Sequence, residues 1–399
     1  MFKKICIILS LAFIFTACNT GGTIQPPIMT PSTTLTQFPL PSSSPTSGST
    51  TAISTDTLRS TATIILSQTP VPGQTPTLKP VSERDVMAFS QNKRLGRGMN
   101  IGNALEAPKE GDWGVRLTPE LFHLIKDKSF NSVRLPIRWS GHTSSSAPFT
   151  IDPAFLSRVD WAVKQCLDRN LVVVLDMHAY DEVMGDPNTE KAKFMALWTQ
   201  ISTHYKDYSD NVYFELLNEP TGMLATISLN DFYNEAIQII RRTNPNRTIV
   251  LGPGGYYSIS WLDYLSIDEG DRNIIISVHY YSPFHFTHQG AEWVDGSTPW
   301  LGSRWTGSQK DKDDIANDFA MAVKWANQYD RPIFLGEFGA YSKAPMDDRA
   351  KWTNEVARQA ESLGWSWSYW EFCSGFGIYN LADKSWNEPL VKALIPVNP

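Results

Sequence analysis

The sequence predicts a (β/α)8 barrel over residues 83–399, and three observations carry that prediction. Apolar runs of strand length alternate with amphipathic stretches of helix length, the pattern of parallel strands joined by crossover helices. Polar and charged residues gather where the apolar runs end, as they do when one rim of a barrel carries chemistry. An open, doubly wound sheet would place a glycine-rich phosphate loop after its first strand. GlyMetAsnIleGlyAsnAla at 98–104 has two glycines but neither that spacing nor a following helix.

Ahead of the barrel, Lys3 and Lys4 precede an apolar run from Ile5 to Phe15. Residues 1–18 therefore read as a secretory signal peptide, too short for a typical transmembrane helix. Thr16-Ala17-Cys18 resembles the lipobox of bacterial lipoproteins, although Phe15 stands where leucine is usual. That resemblance makes Cys18 the expected lipidation site and places the protein outside the cell or on its surface. Residues 19–82 are Ser, Thr, Pro and Gly with almost no apolar periodicity, which reads as a disordered tether. Some sixty flexible residues reach roughly 45 Å.

Within the barrel the strands are expected at 97–103, 132–138, 172–178, 212–219, 248–253, 274–281, 332–338 and 366–373. Helices are expected at 118–128, 152–169, 190–206, 228–243, 312–329, 347–363 and 388–394. ThrPro at 118–119 and AspPro at 152–153 are helix starts, a capping residue followed by proline in the first turn. Cys166 falls on a helix and Cys373 at the end of a strand, and nothing suggests that they pair.

The net charge of -6 leaves no basic footprint for nucleic acid or anionic membrane. The 14 Trp and 14 Tyr offer flat apolar faces suited to sugar rings, though many must be core.

The strand ends supply the chemistry. LeuLeuAsnGluPro at 216–220 and PheLeuGlyGluPheGly at 334–339 each run from a buried strand into a glutamate, Glu219 and Glu337. A carboxylate there is costly to bury unless it is paired or reacts. Two on one rim suggest the paired carboxylates of glycoside hydrolysis, one to protonate the leaving oxygen and one to act as nucleophile or base. Apolar neighbours of Glu219 would raise its pKa, and Arg134 would aim Glu337. His178, Asn218 and His279 can bind sugar hydroxyls, Tyr281 can donate to the nucleophile, and Trp370 can carry a pyranose ring. Asp176 and Glu215 lie inside strands and read as internal polar contacts, and Glu371 is expected to point away from the cleft.

Residues 83–395 resemble glycoside hydrolase family 5, the cellulase family of clan A. The AsnGluPro of strand four and the GlyGluPhe of strand seven carry the resemblance. LeuGlyArgGlyMetAsnIleGlyAsnAlaLeuGluAlaPro at 95–108, ValArgLeuProIleArgTrp at 133–139, the 279–293 segment and the 366–377 segment extend it towards the bacterial subgroup of thermophilic endoglucanases.

The resemblance implies a retaining, endo-acting β-1,4-glucanase with Glu219 as acid/base and Glu337 as nucleophile. Arg134, His178, Asn218, His279, Tyr281 and Trp370 match the remaining family-wide positions. Asn103, Glu106, His288 and Trp293 match cleft positions of the subgroup. It implies no cofactor and no metal, a polysaccharide substrate and a monomer. Ala179 stands where relatives often carry a second histidine, which leaves glucan and mannan both open. A β-mannanase of the same fold is the nearest alternative. A surface sugar-binding lipoprotein with a decayed barrel is the alternative of another class, but such a protein is expected to lack one glutamate.

Overall fold

The computed structural model describes residues 86–396. The expected signal peptide, the lipidation site Cys18 and the tether at 19–82 lie outside the described residues.

Eight parallel strands close into a barrel in sequence order, β1 to β8, with β8 pairing back onto β1. They are β1 (Arg97–Asn100), β2 (Ser132–Ile137), β3 (Val172–Met177), β4 (Val212–Glu215), β5 (Ile249–Leu251), β6 (Ile274–Tyr280), β7 (Ile333–Phe338) and β8 (Ser366–Tyr369). All eight expected strands are present, several of them shorter at the C-terminal end. β1 stops before Asn103, which takes a left-handed φ of 63° that no strand residue adopts. β4 stops at Glu215, so Asn218 and Glu219 belong to the loop. β8 stops at Tyr369, which moves Cys373 from a strand end into a loop.

The helices fall where amphipathic stretches were expected, with earlier starts in two cases. Pro187–His204 begins behind an Asp186 cap that accepts from Thr189 N–H. Gln309–Tyr329 begins with a reciprocal capping box between Ser308 and Asp311. The helix Val86–Leu95 was not among those expected. Its last residue, Leu95, enters the barrel interior beside Val172, Val174, Tyr213, Ile275 and Phe334 and closes the lower end.

Strand alternation divides the barrel interior into two layers. The lower layer is that apolar cluster. One step higher the inward positions are Asn100, Arg134, Asp176 and Glu215, all buried and all polar. Outward positions such as Val133, Leu175 and Leu335 join the large core beneath the helices.

Candidate active site

At the C-terminal rim the backbone is bent to bring both glutamates into one cleft. On β7 the inward residue is Phe334, so strict alternation would send Glu337 outward into the helix layer. A bulge prevents this: Val278 of β6 pairs with Leu335, but the next residue, His279, pairs with Glu337. Gly336 is the extra residue, and the slip turns Glu337 into the barrel while Phe338 stays in the outer core. Only glycine fits there, since a Cβ would lie 2.4 Å from Ser277 Oγ and 3.0 Å from His279 Nε2. Glu219 arrives differently. It leaves β4 with φ 44° immediately before Pro220, a left-handed conformation that is strained for a glutamate.

The surroundings of the two carboxylates differ. Glu337 is 5% exposed. Its Oε1 accepts from Arg134 Nη1 at 2.6 Å and its Oε2 from the Tyr281 hydroxyl at 2.8 Å. Glu219 has no guanidinium partner. Its Oε1 lies 2.7 Å from His279 Nδ1, and burial pushes its pKa up to about 7.

His279 is neutral, its pKa lowered to about 4 chiefly by burial. Its Nε2 is buried without a hydrogen-bond partner. The ring proton therefore sits on Nδ1, where an acceptor waits, since a bare lone pair is cheaper to bury than an orphaned N–H. Nδ1–H donates to Glu219 Oε1, which leaves the second oxygen of Glu219 free to carry an acid proton.

Arg134 holds the floor of the site. It is fully buried, and its guanidinium donates to Glu215 through Nε at 2.7 Å and Nη2 at 2.9 Å. It also donates to Asn100 Oδ1 at 3.1 Å and Asn218 Oδ1 at 2.8 Å. Asp176 Oδ2 lies 2.9 Å from Nη2. Asn100 in turn donates to the carbonyls of Gly336, Ser368 and Tyr369, tying β1 to β7 and β8. The His178 ring stacks on Trp370, 5.8 Å between centroids with planes 10° apart. Its Nε2 is 3.2 Å from Asn218 Nδ2.

Arg134, His178, Asn218, Glu219, His279, Tyr281, Glu337 and Trp370 are thus one connected cluster. The four cleft positions of the subgroup are placed differently. Asn103 turns the chain after β1, and Glu106, 2% exposed, accepts from the backbone N–H of Asn103 and of Ala104. Each Glu106 oxygen accepts from that turn, so it shapes the rim. His288 is buried against Phe284, with ring centroids 4.1 Å apart, and its Nδ1 lies 3.0 Å from Thr287 Oγ1. Trp293 is 50% exposed and stands edge-on to Tyr341. Trp305, in the loop that follows, is buried in the core.

Sequence reasoning missed Asn100, the bulge at Gly336 and the part played by Glu371. Glu371 is fully buried and accepts from the N–H groups of Cys373, Ser374 and Phe376, which shapes the loop directly after Trp370. A glutamate beside a cleft tryptophan and followed by small residues was the available signal.

Among the described residues, Glu219, His279 and Glu337 offer donor atoms within 4.8 Å of one another, close enough for one cation. The same spacing sets two carboxylate oxygens across a gap that a sugar carbon can occupy.

An eight-stranded barrel with two glutamates facing each other at its C-terminal rim is the architecture of glycoside hydrolases. Comparison narrows the class: the family Cellulase (glycosyl hydrolase family 5) matches residues 94–375, and the chain belongs to it. Endoglucanase H of Acetivibrio thermocellus is 32% identical over 319 residues, covering 78% of this chain but 34% of that protein. The chain thus spans about a third of that relative's length. Endoglucanase B of Clostridium cellulovorans is 29% identical, covering 77% of this chain and 75% of that protein. Cel5A of Thermotoga maritima in complex with cellobiose superposes with a TM-score of 0.76 at 48% identity, covering 77% of this chain and all of that one.

Proposed function

We propose that the protein is a retaining endo-β-1,4-glucanase acting on cellulose-type and mixed-linkage glucans and on glucomannan. The observation that carries this reading is the pair of carboxylates within 4.8 Å in unlike surroundings. Glu337, aimed by Arg134 and Tyr281, attacks the anomeric carbon. Glu219 delivers its proton to the departing glycosidic oxygen, and the sugar is left as an ester on Glu337. Glu219, now a carboxylate, takes a proton from water, which attacks the same carbon and frees Glu337. Trp370 lies under the ring being cleaved, held against His178.

Glu337→Gln should abolish turnover of carboxymethylcellulose in a folded protein; full retained activity would remove the nucleophile from Glu337. A mannan reading is kept by one observation. The same Thermotoga maritima enzyme was also solved in complex with mannotriose, at 48% identity to this chain. Parallel rates on barley β-glucan and galactomannan separate the two. Export and lipid attachment through Cys18 complete the proposal, resting on the N-terminal segment, and Cys18→Ser should release the enzyme from the membrane fraction.

A further inference from the structure

We propose that Asp176 is a positioning residue for the reaction: it fixes the tautomer of His178 and through it aims the amide of Asn218 at the sugar. This rests on the glycanase reading above.

The argument follows the direction of each hydrogen bond. Arginine can only donate, so the Asn218 atom 2.8 Å from Arg134 Nη2 is the carbonyl oxygen. The amide nitrogen therefore faces His178, 3.2 Å from Nε2, and that ring nitrogen must accept. The ring proton then belongs on Nδ1, which lies 2.5 Å from Asp176 Oδ2. Arg134, Asn218, His178 and Asp176 form a chain of fixed polarity with a pure donor at one end and an acceptor at the other. With both ends satisfied, one amide hydrogen of Asn218 is held by His178 and the other is directed to the cleft beside Glu219 and Glu337.

Apart from the 2.9 Å ion pair of its Oδ2 with Arg134 Nη2, Asp176 has no other defined hydrogen bond. Its Oδ1 is buried without a partner, and five guanidinium hydrogen bonds of Arg134 already go to Glu215, Asn100, Glu337 and Asn218. Burial also keeps His178 neutral, its pKa lowered to about 4, so tautomer choice is a real variable there. Without an acceptor at Nδ1, the ring proton moves to Nε2 and meets the Asn218 amide donor to donor. The amide then turns, and its other end meets the donors of Arg134.

Three variants and one spectrum test this. Asp176→Leu keeps the branched shape, in a bulkier side chain, but removes the acceptor, and kcat on β-glucan should fall about 10²-fold, the scale of losing one oriented donor. Asp176→Asn keeps an acceptor for Nδ1–H and should stay close to the parent. Asp176→Leu placed on Asn218→Ala should cost little more than Asn218→Ala alone, because both act through one amide. Nitrogen-15 NMR of the unsubstituted protein should show His178 protonated at Nδ1. An Nε2–H ring, equal losses for Leu and Asn at 176, or additive losses with Asn218→Ala overturns the proposal. Should the Leu variant not fold, the spectrum and Asp176→Asn still decide. The spectrum does not depend on turnover, so a protein inactive on every glycan fails the functional reading while leaving the tautomer to be read separately.

Discussion

In the proposed reaction two chemically identical side chains do opposite work because one has a guanidinium and the other an imidazole for a neighbour. Glu219, lifted to about 7 by burial, keeps its proton through mild acid and loses it as the pH rises past that value. Expected is a fall in kcat/KM on β-glucan above about pH 7, as the acid form disappears. Glu219→Gln should lose most activity on the polymer yet keep the burst of dinitrophenolate from a dinitrophenyl cellobioside, whose leaving group needs no proton, while hydrolysis of the intermediate slows for want of the base. Equal losses on both substrates would take the acid role from Glu219. Both glutamates were legible from sequence because each closes a largely apolar stretch of strand length. Asn100 was not, since an asparagine inside a strand resembles any other polar residue until the barrel closes around it.

At the level of the element, the decisive feature is the bulge on β7. Period-two reading of IlePheLeuGlyGluPhe puts Phe334 and Gly336 inside and Glu337 outside, so local pattern and chemistry conflict. The conflict is resolved only in the pairing with β6, where one extra residue slips the register. Strand existence was therefore legible, but the side to which Glu337 points was not. The ends of β1 and β4 were overrun for a related reason. Asn103 and Glu219 adopt left-handed conformations that tertiary contacts impose against local preference. Gly336→Ala tests the element: its Cβ would press on Ser277 and His279. The expected cost is about 1–3 kcal/mol of stability from overpacking. Activity should fall about 10²-fold from displacement of Glu337 and the acid's partner. A variant with parental kcat would show that the bulge does not set the nucleophile's position.

For the whole molecule, a barrel whose upper interior is filled with carboxyls and imidazoles has a stability tied to pH in a direction that can be worked out. Burial raises Glu106 to about 8 from 4.5. It raises Asp176 to about 7 from 3.8, and Glu219 and Glu371 to about 7 from 4.5. Over those windows the folded state holds more protons than the unfolded one, so stability falls as pH rises. His178, His279 and His288 are lowered by burial to about 4 from 6.5, so there the unfolded chain holds more protons and stability rises with pH. Between about 4.5 and 6.5 the two sets oppose each other. Above about 6.5 the imidazoles are neutral in both states and only the carboxyls remain. The unfolding temperature should therefore vary little from pH 5 to 6.5 and drop from 6.5 to 8. Glu106 is the last of these carboxyls to ionise, so Glu106→Gln should flatten the curve between 7 and 8 and also lift the slope between about 4.5 and 7, where the folded parent holds this proton and the unfolded chain does not. Calorimetric scans of the parent and this variant at half-unit steps measure both slopes. An unfolding temperature that holds or climbs from pH 6.5 to 8 would mean that the buried carboxyls are ionised in the folded barrel, with Arg134 and the backbone N–H groups outweighing desolvation.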